Sequence, residues 1–154
     1  MDTIAFIPFE TSLARHFTDL NLAWVKKYFV VEPLDEEMLS NPKSFIIDKG
    51  GLIFFAKTGD HIAGTFALQK VADEVYQLSK MAVDEAFQGM KIGNAMMEFC
   101  LAEAKRRGFQ KIELFSNTLL GPAIHLYKKY GFTEVPLGDS EFERSNIKME
   151  YTIQ

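Results

Sequence analysis

A single cysteine, Cys100, excludes an internal disulfide, and only three histidines, His16, His61 and His125, stand beside it. No Cys/His spacing suits a structural zinc, and no metal is expected. The chain also lacks an apolar run near the ~18 residues of a membrane span. Its first residues, MDTIAFIPFE, have neither the basic region nor the apolar stretch of a secretory leader, so a cytoplasmic location and no membrane partner are expected. Excess positive charge is absent as well. With 17 Lys and Arg against 21 Asp and Glu the net charge is -4, a field that repels phosphate backbones, so no nucleic-acid partner is expected and a cationic partner is mildly favoured. Repeats, low-complexity tracts and interdomain linkers are missing too. What is present is ordinary globular usage, 47% hydrophobic and 25% charged over 154 residues. That length fits a single domain over residues 1–154, able to bury roughly 70% of its unfolded surface without a covalent staple.

Residues 3 to 8 read as a short strand closed by Pro8. From Thr11 to about Phe29 the residues Leu13, Phe17, Leu20, Leu22, Trp24, Val25 and Tyr28 recur at helical spacing, with Thr11 or Ser12 available as N-cap. After Pro33, LDEEMLS predicts a second helix, its first-turn carboxylates Asp35, Glu36 and Glu37 complementing the helix dipole, and Asn41-Pro42 should end it. LIFFAK and HIAGTFALQKV, joined by Thr58-Gly59-Asp60, predict a hairpin. A third strand runs from Glu74 to Val83. Within it Tyr76 and Leu78 alternate, but Met81 and Val83 are displaced by one, and an extra residue near Ser79-Lys80 would return all four to one face. A β-bulge is therefore predicted there. Residues 91 to 107 form a helix with Ile92, Ala95, Met96, Phe99 and Ala102 on one face, stopped by Gly108. KIELFS is a strand, Pro122 to Lys129 a helix ended by Gly131, and NIKMEYTI a half-buried strand. The expected fold is α/β (α+β): a mixed, mostly antiparallel sheet flanked by helices.

The densest chemistry lies between the third strand and the helix, in Val83-Asp84-Glu85-Ala86-Phe87-Gln88-Gly89-Met90-Lys91-Ile92-Gly93-Asn94. Glycines at a helix start allow close backbone approach, and the free N–H groups of a first turn attract an anion. The run matches neither GxxxxGK[ST] nor GxGxxG. On spacing alone it is either a phosphate site or a tightly packed helix start. Tyr127 is likewise either a packed helix tyrosine or a proton donor, and Lys80, inside the bulge, points either to solvent or to a cleft. Cys100 falls within the helix interior and reads as a small core residue.

The stretch YQLSKMAVDEAFQGMKIGNAMM, followed by IELFSN and PAIHLYKKYGF, resembles the acetyl-CoA-binding half of the GNAT family of N-acetyltransferases. The family loop runs Arg or Gln, two residues, Gly, one residue, then Gly or Ala. Gln88 and Gly93 match its ends, and Lys91 replaces the middle glycine. LNLAWVKKYFVVEPLDEEMLSNP and GGLIFFAK extend the resemblance weakly to the front, toward a subgroup of bacterial members. The resemblance implies a GNAT-like acyl-CoA N-acyltransferase fold in which the strands on either side of the loop splay apart around the pantetheine arm. An acceptor side would occupy about residues 1–72 and an acetyl-CoA core about residues 74–135.

The resemblance also implies roles. Met81, Ala82 and Val83 would offer backbone groups to the pantetheine, one N–H holding the thioester oxygen. Gln88, Gly89, Met90, Lys91, Ile92, Gly93 and Asn94 would wrap the pyrophosphate. Tyr127 matches the tyrosine that protonates the leaving thiolate, with Tyr130 as its structural counterpart. Asn117 matches the pantetheine-contacting asparagine of a longer-loop variant, or satisfies a turn. The usual strand glutamate is Gln77 here, so Glu113 or Glu74 acting through water, or solvent itself, is left as base. Trp24, Tyr28, Phe29, Glu32, Asp35, Lys80, Phe142 and Arg144 are the acceptor-side candidates: aromatics with carboxylates suit a cation, and Arg144 suits a carboxylate. The implied activity is acetyl transfer from acetyl-CoA to a primary amine of a small molecule or protein, by direct attack in a ternary complex. A homodimer would be ordinary for the family. The alternative is a non-catalytic acyl-CoA-binding sensor or interaction module.

Overall fold

The computed structural model describes residues 3–154. Strand β1 (Ile4–Pro8) is followed by a 3-10 turn over Thr11–Leu13, helix α1 (Ala14–Tyr28) and helix α2 (Pro33–Ser40). A meander of β2 (Leu52–Thr58), β3 (His61–Ala72) and β4 (Val75–Val83) leads to helix α3 (Ile92–Arg106). Then come β5 (Lys111–Ser116), helix α4 (Gly121–Lys129), β6 (Thr133–Val135) and β7 (Ile147–Thr152). The sheet order is β1-β2-β3-β4-β5-β7-β6, antiparallel except for the parallel β4–β5 pair. The mixed, mostly antiparallel sheet with flanking helices is the one expected.

Two-faced burial explains the hydrophobic run in β2. Phe54 and Ala56 face the core beneath α3, with Phe66, Leu68, Met96, Met97 and Cys100. Their neighbours Ile53 and Phe55 face the opposite core, with Phe17 of α1 and Met38 and Leu39 of α2. A strand covered on both sides must be apolar at every position. Gly64 fixes how closely α3 approaches, because a Cβ there would stand 3.0 Å from Met96 Sδ and 3.2 Å from the Ala82 carbonyl oxygen.

The β-bulge stands where the slipped alternation put it. Thr65 pairs with Ala82 and Ala67 with Ser79, so two steps on β3 face three on β4. Lys80 takes the left-handed φ of 53°. Beyond it the sheet opens: β4 and β5 pair only over Val75–Gln77 and Lys111–Glu113, and then diverge. The outward backbone groups of β4 from Leu78 onward therefore have no strand partner on that side.

Four details depart from the sequence reading. Thr11 and Ser12 do not cap α1, whose N-cap is Leu13 with no side-chain bond; the 3-10 turn supplies its entry instead. Glu74 lies in the turn before β4 at φ 62°, not in the strand. The buried stripe of α3 is Ile92, Met96, Met97, Cys100 and Ala104, which leaves Ala102 exposed. Residues Lys43–Ile47 form a π-helical turn and Thr133–Val135 a short edge strand, and neither has a strong periodic signal.

Candidate active site

The divergence of β4 and β5 makes a cleft lined by Asn21, Trp24 and Phe29 from the α1 side, by Gln77 to Met81 of β4, by Phe115 to Asn117 at the end of β5, and by Tyr127 of α4. Phe142, Arg144 and Ser145, from the segment between β6 and β7, complete its wall. No aspartate or glutamate is among these lining residues.

From the end of β4 the chain passes into α3. Asp84 accepts the Ala86 N–H at 2.9 Å and starts a 3-10 turn over Glu85–Phe87. Gly89 and Lys91 then both adopt positive φ, 83° and 59°. Lys91 thus takes a conformation that costs an L residue about 1–2 kcal/mol and that glycine would take freely. Its side chain does not cap α3, and the first intrahelical bond is Ala95 N–H to the Lys91 carbonyl. The N–H groups of Ile92, Gly93 and Asn94 precede that bond and are the free donors of an uncapped helix start. Together with the positive-φ turn they form a concavity suited to phosphate oxygens. Asn94's side chain is committed elsewhere: its Oδ1 accepts from Lys129 Nζ at 2.8 Å and from the Tyr130 hydroxyl at 3.3 Å. Tyr130 thereby ties α4 to α3.

Tyr127, three residues earlier and within α4, is different. Its ring packs on Phe132, with centroids 6.1 Å apart, and its hydroxyl makes no hydrogen bond among the described residues. Burial pushes its pKa up to about 12, so it is a phenol across the neutral range. Asn117 is used up structurally. Its Nδ2 donates to the Arg144 carbonyl at 2.7 Å and its Oδ1 accepts the Leu119 N–H at 2.8 Å, so it satisfies a turn and ties that turn to the β6–β7 segment.

The acceptor-side charges form a closed cluster. Asp35 of α2 is 0% exposed, and accepts from Lys80 Nζ at 2.7 Å and from Arg144 through two bonds of 2.7 and 2.8 Å. Its second role is to receive the Glu32 N–H in a capping box at the start of α2. Glu32 accepts from Arg144 at 3.1 Å and from the Glu143 N–H at 3.0 Å. Both cations sit against the Phe142 ring, Lys80 at 4.4 Å and Arg144 at 4.3 Å. Burial opposes ionisation of Asp35, but the bonds from Arg144, Lys80 and the Glu32 N–H outweigh it and hold its pKa down at about 2. Burial draws the Lys80 pKa below its usual value, with Asp35 opposing. Lys80 and Arg144 are therefore bound to the protein's own carboxylates, not poised for an acceptor's carboxylate. Sequence reading offered Asp35 as a first-turn carboxylate or an acceptor-side residue, and only the tertiary pairing reveals it as the centre of this cluster.

The remaining candidates scatter. Tyr28 is 45% exposed and lies outside the cleft, in a groove with Trp24, Asp84, Glu85 and Gln88. Glu113 is buried 3.4 Å from Lys148 and lines the adjoining cavity. Glu74 is exposed at the far end of β4, beyond reach of the bulge. Gln77 lines both the cleft and the adjoining cavity. Sequence reading also missed Asn21, a polar residue on the inward stripe of α1 and 1% exposed.

The profile of the acetyltransferase (GNAT) family matches residues 17–132. N-acetyltransferase 8 of Rattus norvegicus is 28% identical over 111 residues, 69% of this chain and 50% of the rat protein, so the chain spans about half the length of that relative. A GNAT-family acetyltransferase of Staphylococcus aureus superposes with a TM-score of 0.88 at 21% identity, covering 99% of this chain and all of the other. An acetyltransferase of Bacillus subtilis, solved in complex with CoA, superposes with a TM-score of 0.76 at 19% identity, covering 99% of this chain and all of the other. With three quarters of its length matched by the family profile, and with the opened sheet and bulge in place, the chain belongs to the GNAT family of acetyltransferases.

Proposed function

We propose that the chain transfers the acetyl group of acetyl-CoA to a primary amine by direct attack in a ternary complex. One observation carries this reading: the unpaired edge of β4 and Tyr127, whose hydroxyl has no partner among the described residues, border one cleft, and the chain leaving that strand runs directly into the uncapped start of α3. The first-turn N–H groups of α3 and the turn from Gln88 to Lys91 would hold the pyrophosphate. The unpaired backbone of β4 around Met81, Ala82 and Val83 would pair with the pantetheine arm. There an N–H would also stabilise the negative charge that gathers on the acetyl oxygen as the amine nitrogen bonds to the carbonyl carbon. When the carbon–sulfur bond breaks, Tyr127 gives its proton to the departing thiolate. The amine's own proton leaves to water, consistent with a cleft free of carboxylates.

The test is thermal unfolding with acetyl-CoA, CoA and ATP, followed by thiol release with amines. At a hundredfold excess over Kd a ligand adds about 2.7 kcal/mol to stability, a rise of about 5–10 °C for a chain of this size. A rise with acetyl-CoA and CoA but not ATP, with thiol release on adding amine, is expected. No rise with either thioester or thiol overturns the site. A second reading, an acyl-CoA-binding sensor, draws on the cleft's lack of a carboxylate base; it predicts the rise without thiol release from any amine.

A further inference from the structure

The acceptor end of the cleft holds one buried polar side chain whose hydrogen-bonding capacity the fold leaves half used. Asn21 is 1% exposed, and its Nδ2 donates to the Phe17 carbonyl one turn back at 2.9 Å. Its Oδ1 receives no hydrogen bond from the described residues. Since no buried side-chain nitrogen or oxygen among them goes without a partner, the residue's small exposed area lies at that oxygen, within the cleft lining. A carbonyl oxygen with so narrow an opening is left unpaired, at a cost of about 1–3 kcal/mol, by a ligand that displaces its water without donating to it, and therefore selects a ligand with an N–H or O–H.

Its surroundings define what that ligand carries behind the donor. Trp24, Phe29, Phe115, Phe142 and Tyr127 are the aromatic members of the lining. The nearby charges cancel: Glu32 and Asp35 hold Lys80 and Arg144, and Phe142 lies against both cations. Among the described residues of the lining a second ammonium finds no uncommitted carboxylate, and a carboxylate finds no uncommitted cation. Burying either without a partner is costly.

We infer that this subsite takes a primary monoamine on an apolar aryl or alkyl body, and that Asn21 Oδ1 accepts one of its amine N–H groups. The inference rests on the transferase reading and specifies its acceptor. Polyamines and amino acids carry a charge the wall cannot match, and are disfavoured.

The experiment measures thiol release from acetyl-CoA with phenethylamine, hexylamine, spermidine and free lysine on the full chain. The expected kcat/KM for phenethylamine or hexylamine is at least tenfold above that for spermidine or lysine. Equal or better use of spermidine or lysine overturns the inference while leaving the transferase reading standing. Thiol release with none of the amines, despite a thermal shift with acetyl-CoA, overturns the transferase reading and this inference with it. Asn21→Leu is expected to raise KM for the monoamine at least fivefold while KM for acetyl-CoA stays within twofold. Asn21→Ser, smaller and still polar, gives the same split if the leucine variant does not fold. An unchanged monoamine KM in the folded variant removes Asn21 from the subsite, since a purely structural loss would not divide the two Michaelis constants.

Discussion

Two tyrosines three residues apart, Tyr127 on α4 and Tyr130 at its C-cap, have opposite settings, which makes them a test of what a hydroxyl does. Tyr130 donates to Asn94 through bonds of 3.3 and 3.4 Å and holds two helices together. Tyr127 donates to nothing among the described residues and borders the cleft. Removing the Tyr127 hydroxyl therefore costs the fold little, and Tyr127→Phe is expected to lower kcat about 10²–10⁴-fold with the Kd for acetyl-CoA within twofold. Tyr130→Phe is expected to change kcat by less than about threefold, since its bonds are long. The pH profile carries a further sign. A proton donor must be protonated, and a phenol whose pKa is pushed up to about 12 stays so through the whole working range. The rate should rise with pH as the free amine deprotonates and show no fall below about pH 11. An alkaline fall near pH 9 that Tyr127→Phe abolishes would contradict the buried setting of this hydroxyl.

The helix start of α3 separates charge from shape. Gly93 lies in the first turn, and a Cβ there meets only Leu126 Cδ2 at 3.6 Å, an ordinary contact. Gly93→Ala should leave acetyl-CoA affinity within a few-fold. Gly93→Asp places a carboxylate where the helix dipole welcomes it, so the fold should be as stable or more so. On the proposed reading that carboxylate also takes the place of the phosphate, and affinity should fall at least tenfold, read by titration alongside a thermal melt. Equal affinity for wild type and Gly93→Asp would move the phosphate site elsewhere. How much of this region sequence can carry depends on whether neighbours or distant residues set it. The bulge was legible because Tyr76, Leu78, Met81 and Val83 report their own faces through local alternation, and the helix ends because Pro122, Gly108 and Gly131 act on their own backbone. The edge strand Thr133–Val135 was not, because three mostly exposed residues leave no alternation to read. The inward stripe of α3 was misjudged at Ala102, since alanine suits either face and only packing on β3 decides.

Across the whole molecule one wall of the cleft depends on Asp35, whose partners no local pattern could identify. Asp35 meets Lys80 across 45 residues of chain and Arg144 across 109, joining α2, the β4 bulge and the β6–β7 segment. Those partners are set by topology, so the sequence displays only an acidic first turn. Removing the charge at the centre of the cluster strands the nearly buried Lys80 and leaves Arg144 with Glu32 alone, and Asp35→Asn is expected to cost about 3–5 kcal/mol by urea unfolding, as for a broken buried pair. The pH dependence follows from the same residue. Its folded pKa, about 2, lies below its ordinary 3.8, so its stabilisation is fully present above the higher value and is lost as pH falls through the lower. That contribution is of order 2 kcal/mol. The stability of the wild type should therefore drop between about pH 4 and pH 2 by more than that of Asp35→Asn, whose side chain does not titrate. Parallel acid profiles for the two proteins would mean that the cluster, though closed in geometry, does not hold the three elements together.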